Sequence, residues 1–420
     1  MKQKLITFII PLFTCALFAT VESTDWPNWR GPDANGISNE TNWSPNALTG
    51  GPKIIWKTNV GMGYSSVSIK GNYLYTMGNK LIISGNDSTY KDIVYCLNRK
   101  TGKEIWRFAY PCKEGSYPGP RATPTIDGAF IYTLSRDGHI FCFNAKNGKV
   151  IWKRNIIADK QAIDPDMGLS GSPVIYGNLL LINAGESGLA INKKTGKTIW
   201  HSGSKKCGFA TPVIYTNGGK PKAAILSRTK LYSVDVATGK IIWSLPWKTR
   251  YEENSTDPII SGKFLFMSTG YGRECSLLKL TGGQPKILWS NKNMSPHFGT
   301  SVLINGYLYG NHGTTGKKSS VRCLDFKTGE LKWKKKLPFG SLTAANNKLI
   351  ILTEKGSLHI AEATPAGYKE ISKAKVINVP FDRKIPRHKQ CQCWTPPVMA
   401  NGMIFVRNSR GNLICINMSN

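Results

Sequence analysis

Cys96-Leu97-Asn98-Arg99-Lys100-Thr101-Gly102-Lys103-Glu104-Ile105-Trp106 is written again, with small changes, along almost the whole chain. It returns as Cys142-Phe143-Asn144-Ala145-Lys146-Asn147-Gly148-Lys149-Val150-Ile151-Trp152 and as Ala190-Ile191-Asn192-Lys193-Lys194-Thr195-Gly196-Lys197-Thr198-Ile199-Trp200. Further copies end at Trp243 and Trp333, and a looser one, with Gly282-Gly283 in its turn, ends at Trp289. The spacing is about 43 to 50 residues, which fits four-stranded propeller blades rather than helical solenoid repeats. The residue types also argue for strands. Apolar residues alternate up to an Asn or Asp, a Thr-Gly or Asn-Gly pair supplies a turn whose Gly takes positive φ, and a second alternating run follows. Each copy therefore reads as the two outer strands of a blade closed by a hairpin.

The first half of each unit is equally regular, as in Ala122-Thr123-Pro124-Thr125-Ile126-Asp127-Gly128-Ala129-Phe130-Ile131-Tyr132-Thr133-Leu134-Ser135-Arg136-Asp137-Gly138, which has room for two strands and two turns. Equivalent starts near Ser65, Thr123, Ser172, Thr211, Asp257, Thr300, Ser341 and Thr395 give eight blades. Only the last lacks a fourth strand, because the chain stops soon after Ile414-Cys415-Ile416-Asn417. Pro52-Lys53-Ile54-Ile55-Trp56-Lys57 has the outer-strand pattern with no hairpin partner before it, so it is expected to complete blade eight. Closure of this kind removes sheet edges that would template aggregation. The fold class is thus all-β, an eight-bladed propeller of four-stranded antiparallel blades closed by an N-terminal strand. The Ala/Asn-Asp-x-x-Thr-Gly-Lys-x-x-Trp writing resembles the repeat of pyrroloquinoline-quinone (PQQ)-type β-propellers over nearly the whole mature chain.

Three segments are expected. Residues 1–23 carry Lys2 and Lys4, then an apolar run through Phe18, then small residues, the pattern of a secretory signal peptide cleaved after Ser23 or Ala19. Cys15 follows Phe13-Thr14, a poor lipobox, so no lipid anchor is expected. Residues 24–50 form a lead-in rich in Trp, Pro and Gly, with Asp25-Trp26-Pro27-Asn28-Trp29-Arg30-Gly31-Pro32 resembling the N-terminal signature of secreted bacterial PQQ-like propellers. Its tryptophans are expected to plug one end of the ring. Residues 51–420 form the propeller, which leaves no length for a second catalytic domain. The long interruption is Ile371 to Gln392, where Phe381-Asp382-Arg383-Lys384-Ile385-Pro386-Arg387-His388-Lys389 breaks the period with charge. No run is long and apolar enough to span a bilayer.

The formal net charge of +31 points to anionic partners. Lys100, Lys103, Lys146, Lys149, Lys194, Lys197, Lys240 and Lys327 surround the hairpin turns, which leave the disk on one face. The opposite face gathers the loops entering each inner strand and those joining second to third strands, where ligands sit over the channel of a propeller. Arg121, Arg136, Arg228, Arg273, His297, His312, Arg407 and Arg410 are expected there. The guanidinium fork suits carboxylate and sulfate. In an exported protein, anionic polysaccharide or another acidic envelope polymer is a better partner than nucleic acid. Envelope proteins are a further class.

Of ten cysteines, Cys96, Cys142, Cys323 and Cys415 share one position on the third strand, filled elsewhere by Ala190 and Ser233, and read as small core thiols. Cys112, Cys207, Cys275, Cys391 and Cys393 lie in irregular segments, and an oxidising compartment would favour a bond such as Cys207 with Cys275. His388-x-x-Cys391-x-Cys393 lacks a fourth ligand, so no metal site is assigned. The resemblance implies two activities. PQQ-dependent alcohol dehydrogenases share the repeat but carry adjacent cysteines, a Trp floor, a catalytic Asp and Glu/Asn calcium ligands. Here Cys391-Gln392-Cys393 is not a Cys-Cys pair, and the spacing of Asp164, Asp166, Glu186, Asn254 and Asp257 marks no calcium set. The other resemblance is to BamB-type outer-membrane assembly propellers, similar in size and repeat. No catalytic triad, phosphate loop or paired-acid motif is present, and no catalytic residue is assigned. The sequence therefore reads as a periplasmic or secreted propeller that binds or scaffolds, without a cofactor. A PQQ-and-calcium oxidoreductase and an assembly factor are the alternatives.

Overall fold

The computed structural model describes residues 24–315 and 319–419. The expected signal peptide lies outside the described residues. Eight blades of antiparallel strands follow one another around a ring, the first seven with their four blade strands in sequence order from the centre outward. Blade one runs Ser68–Lys70, Tyr73–Ser84, Asp87–Asn98 and Glu104–Pro111. Blades two to seven begin at Thr125–Asp127, Val174–Tyr176, Val213–Asn217, Ile259–Ser261, Val302–Ile304 and Gly340–Ala345. Blade eight takes Val398–Ala400, Met403–Arg407 and Asn412–Asn417 from the C-terminal end and Ile54–Asn59 from the N-terminal end. Its closing ladder pairs Ile54 with Ile416, Trp56 with Cys415 and Asn59 with Asn412, as the unmatched outer strand required. No helix of the described residues is long and apolar enough to cross a membrane.

The repeated residues have distinct packing duties. Asn98, Asn144, Asn192, Asp235 and Asp325 accept backbone N–H groups two and three residues on, which builds the turn. The Gly of the turn is needed twice over. Gly196, at φ +73°, lies under the Trp152 indole, where a Cβ would stand 2.8 Å from the ring, and Gly102, Gly148, Gly239 and Gly329 repeat the arrangement with the preceding blade's Trp. Each such indole crosses to the next blade and donates to a carbonyl there: Trp56 to Arg99, Trp106 to Ala145, Trp152 to Lys193, Trp200 to Val236, Trp289 to Phe326 and Trp333 to Thr364. Trp56, Trp106 and Trp243 are buried, whereas Trp152, Trp200, Trp289 and Trp333 are half-buried. The small third-strand thiols face these rings. Cys96 pairs with Trp106, Cys142 with Trp152 and Cys323 with Trp333.

A second set of contacts ties the blades together near the axis. Ser66 N–H donates to Thr123 Oγ1 at 3.1 Å, Thr123 N–H to Ser172 Oγ at 2.9 Å, Ser172 N–H to Thr211 Oγ1 at 3.0 Å, Thr211 N–H to Asp257 Oδ1 at 2.8 Å and Asp257 N–H to Thr300 Oγ1 at 3.0 Å. The inner position is thus Ser66 in blade one and Pro396 in blade eight, one residue beyond Ser65 and Thr395. The lead-in runs over the turns between first and second strands, where Asp25 accepts from Gly71 N–H and Thr24 Oγ1 from Asn401 N–H. Ile37–Ser38 adds a parallel strand to Gly340–Ala345. Trp26 packs between blades one and eight and Trp43 between blades seven and eight, so of the lead-in tryptophans only Trp29 reaches the channel as a plug.

All nine described cysteines are free and buried. The expected Cys207–Cys275 bond is therefore absent: Cys207 packs with Leu169, Leu180 and Ala184, whereas Cys275 packs with Phe266, Leu277 and Met294 in another cluster. Cys393 Sγ donates to the Arg407 carbonyl and His388 meets the edge of Tyr117, so the His388/Cys391/Cys393 spacing assembles no metal set.

Candidate functional site: an aromatic funnel on the channel axis

Two residues before each inner hydroxyl position, the chain enters the central channel. The eight equivalent residues are Tyr64, Arg121, Ser170, Phe209, Ser255, Phe298, Phe339 and Trp394. All except Phe339 line one cavity of about 220 Å³, and Trp29 of the lead-in closes its floor. Phe339 is fully buried and meets the edge of Phe298 at 5.2 Å. The funnel opens on the face away from the lysine-bearing hairpins, because its walls are the loops that enter the first strands.

Trp29 is held there by charge. Its indole N–H donates to Asp257 Oδ2 at 2.7 Å, and Arg30 Nε stands 3.9 Å from the same oxygen while its Nη2 donates to Ser301 O. Burial raises the Asp257 carboxyl pKa despite Arg30, and lowers that of Arg30 to about 10. Asp257 is the one inner-ring acid, and its second oxygen is what anchors the plug.

The wall is a run of ring contacts centred on Trp394. Tyr64 stacks on it with centroids 5.4 Å apart at 19°, Phe298 lies at 4.7 Å and Tyr117 at 6.0 Å. Tyr64 donates to Gln392 Oε1 at 2.9 Å, and burial raises its pKa. Arg121 donates to the Met167 and Tyr117 carbonyls. Burial, and next the Arg136 charge, lower its pKa to about 10, which still leaves it cationic at neutral pH. Opposite, the Tyr271 hydroxyl donates to Glu253 and sits 2.5 Å from His297 Nε2. Burial and then Glu253 raise the Tyr271 pKa. Flat rings, one half-buried cation and one carboxylate suit a ligand with a flat apolar face and polar rim. The volume is below the ~300 Å³ lower end of drug-sized sites, so it takes one ring at a time.

Of the expected arginine face, only Arg121 and His297 line the funnel. Arg136 is buried and donates to the Glu114 and Met167 carbonyls, so it holds loops together. Arg407 is buried and donates to Ser65, Met77 and Gly61 carbonyls. Arg228 pairs with Asp166 and Glu252. Arg273 lies over the Trp247 ring at 4.5 Å. His312 ends a blade-six strand, and burial with Arg322 nearby lowers its pKa to about 4. Arg410 is exposed at a cleft beside the funnel. Sequence reading missed the aromatic wall, although Tyr64, Phe209, Phe298 and Trp394 all stand just before the blade starts.

A calcium-bound quinone asks for several oxygen ligands converging under a stacked ring. Asp164 instead accepts Gly168 N–H, Asp166 pairs with Lys206 and Arg228, and Glu186 pairs with Lys205 and accepts from Tyr232. Asn254 donates to three backbone carbonyls, and Asp257 anchors Trp29. Among the described residues no three His, Cys, Asp or Glu side chains are gathered to hold a metal ion. The funnel residues do not fit PQQ with calcium.

A family model described as outer membrane protein assembly factor BamB matches residues 90–335, more than half of the chain. This chain is a member of the BamB-type PQQ-repeat family. No curated protein sequence matches this BamB-family chain. Among solved structures, BamB from Moraxella catarrhalis is 13% identical with a TM-score of 0.61, covering 87% of this chain and 99% of that one. Quinohemoprotein alcohol dehydrogenase from Comamonas testosteroni is 11% identical with a TM-score of 0.67, covering 94% and 80%. A europium-containing methanol dehydrogenase is 11% identical with a TM-score of 0.66, covering 91% and 89%. At such identities the likeness carries the fold alone.

Proposed function

We propose that this BamB-family propeller is a non-catalytic binding protein of the bacterial envelope or its exterior, and that it takes an anionic polymer, one unit of which enters the funnel. The observation that supports the reading is the lining: one residue from nearly every blade, mostly aromatic, placed around half-buried Arg121 and closed below by Trp29. Aromatic faces stack on flat ligands without needing a reactive group. The net charge of +31 adds long-range attraction that salt screens over about 8 Å at physiological strength.

The test is retention on heparin or sulfated-polysaccharide resin. Retention at low salt, release by salt, and earlier release of Trp394→Ala are expected. Passage of the intact protein through the resin at low salt overturns the reading. The family match favours a second reading, an envelope-protein assembly role in which an aromatic side chain of a client polypeptide fills the same funnel. Unfolded outer-membrane polypeptide, and not polysaccharide, would then quench the Trp394 fluorescence.

A further inference from the structure

The connection from Glu370–Lys375 to Val398–Ala400 is the longest between blades, and it builds a second cavity on the funnel face. This cleft, of about 350 Å³, lies between the charged insertion, Glu114 with Pro118, and Arg410. Tyr64 lines both the cleft and the funnel, so one side chain is their shared wall. Tyr117 is a second link, with its ring 6.0 Å from Trp394 and 6.1 Å from His388 of the insertion. The insertion is tied down. Gln390 Nε2 donates to Ile385 O, Asp382 N–H donates to Gln390 Oε1 at 3.1 Å, and Asp382 Oδ1 accepts Lys384 N–H at 2.9 Å.

Charge in this cleft is one-sided. Lys389 pairs with Glu114 at 3.5 Å. Lys384 and Arg410 are exposed, and among the described residues neither stands within ion-pairing distance of an acid. An aromatic slot thus adjoins an unneutralised cationic rim.

We propose that funnel and rim form one groove for an acidic polysaccharide, with a sugar ring stacked at Tyr64 and Trp394 and the carboxylate or sulfate of neighbouring units held at Lys384 and Arg410. This rests on the binding reading above and names its ligand class. A sugar ring presents a flat C–H face to the aromatic wall and leaves its acid group at the edge, in reach of cations that stay hydrated. An acidic peptide offers the charges without a flat ring beside each one, so the polysaccharide fits both halves of the groove.

The experiment measures binding of galacturonic acid, oligogalacturonates and heparin oligosaccharides by tryptophan fluorescence across a salt series. The proteins are wild type, Lys384→Glu/Arg410→Glu, the opposite-face control Lys100→Glu/Lys197→Glu, and Trp394→Ala. The rim variant should weaken oligosaccharide binding about tenfold or more and flatten its salt dependence, because it reverses charge at the site of contact. It should leave the monosaccharide unchanged, and the control should change little. Preference between uronate and sulfate chains identifies the acid group. Equal losses in rim and control variants would mean diffuse attraction and overturn the proposal. So would poly-glutamate competing for the rim as strongly as the oligosaccharide. If Trp394→Ala weakens binding while the rim variant does not, the groove is wrong and the funnel stands; if Trp394→Ala changes nothing, the funnel reading itself fails. The four rim and control side chains are exposed, so an unchanged Tm certifies that each variant is folded.

Discussion

Asp92 is wholly buried on the third strand of blade one; Asn79 Nδ2 donates to its Oδ1 at 2.8 Å, and its Oδ2 meets no donor. Burial outweighs the Asn79 bond and raises its pKa to about 6. A carboxyl raised on folding is most favourable while protonated, so its contribution is lost as pH climbs from the unfolded value of about 4 to about 6 and stays lost above. Asp92→Asn should therefore stabilise the protein by about 2 to 3 kcal/mol at pH 7 and by little at pH 4, as read from urea midpoints. Trp106 works the other way. It meets Tyr75 and Phe143 and donates to Ala145 O, so Trp106→Ala should cost about 3 to 5 kcal/mol. Trp, Gly and Cys were legible because each repeats at a fixed place in the blade. The arginines were not, because a loop sequence does not say which carbonyls a guanidinium will meet, and Arg136 and Arg407 found enough of them to become internal struts.

At the scale of elements, the closing strand and the lead-in carry the most weight for their length. Removing residues 51–57 should leave Asn412–Asn417 as an open edge, lowering both Tm and solubility. Full solubility of that deletion at wild-type Tm would mean that blade eight is complete with three strands. The lead-in depends on Asp257. Asp257→Ala strands Arg30 in the interior and should cost about 3 to 5 kcal/mol, and adding Arg30→Met should recover part of the loss. Pattern counting placed the closing strand because an outer strand was missing at one end and spare at the other. Ile37–Ser38 escaped it, since two residues in a stretch without period give no alternation to read.

For the whole molecule, the eight blades were readable from spacing, while the funnel depended on eight loops of unequal length meeting on one axis, which no local pattern encodes. Charge acts at this scale too. A net +31 repels itself in the compact state, so Tm should rise as salt is added at neutral pH. A Tm independent of salt would mean that the cations are neutralised locally. Closure also imposes an order in time. Ile54–Asn59 is made before any blade, and Asn412–Asn417, its partner, emerges only after seven blades have been made. Until then the first strand has no seat and the ring no final bond. Each newly made chain must stay an open arc while all the intervening blades are made, needing protection from its neighbours until that ladder can form.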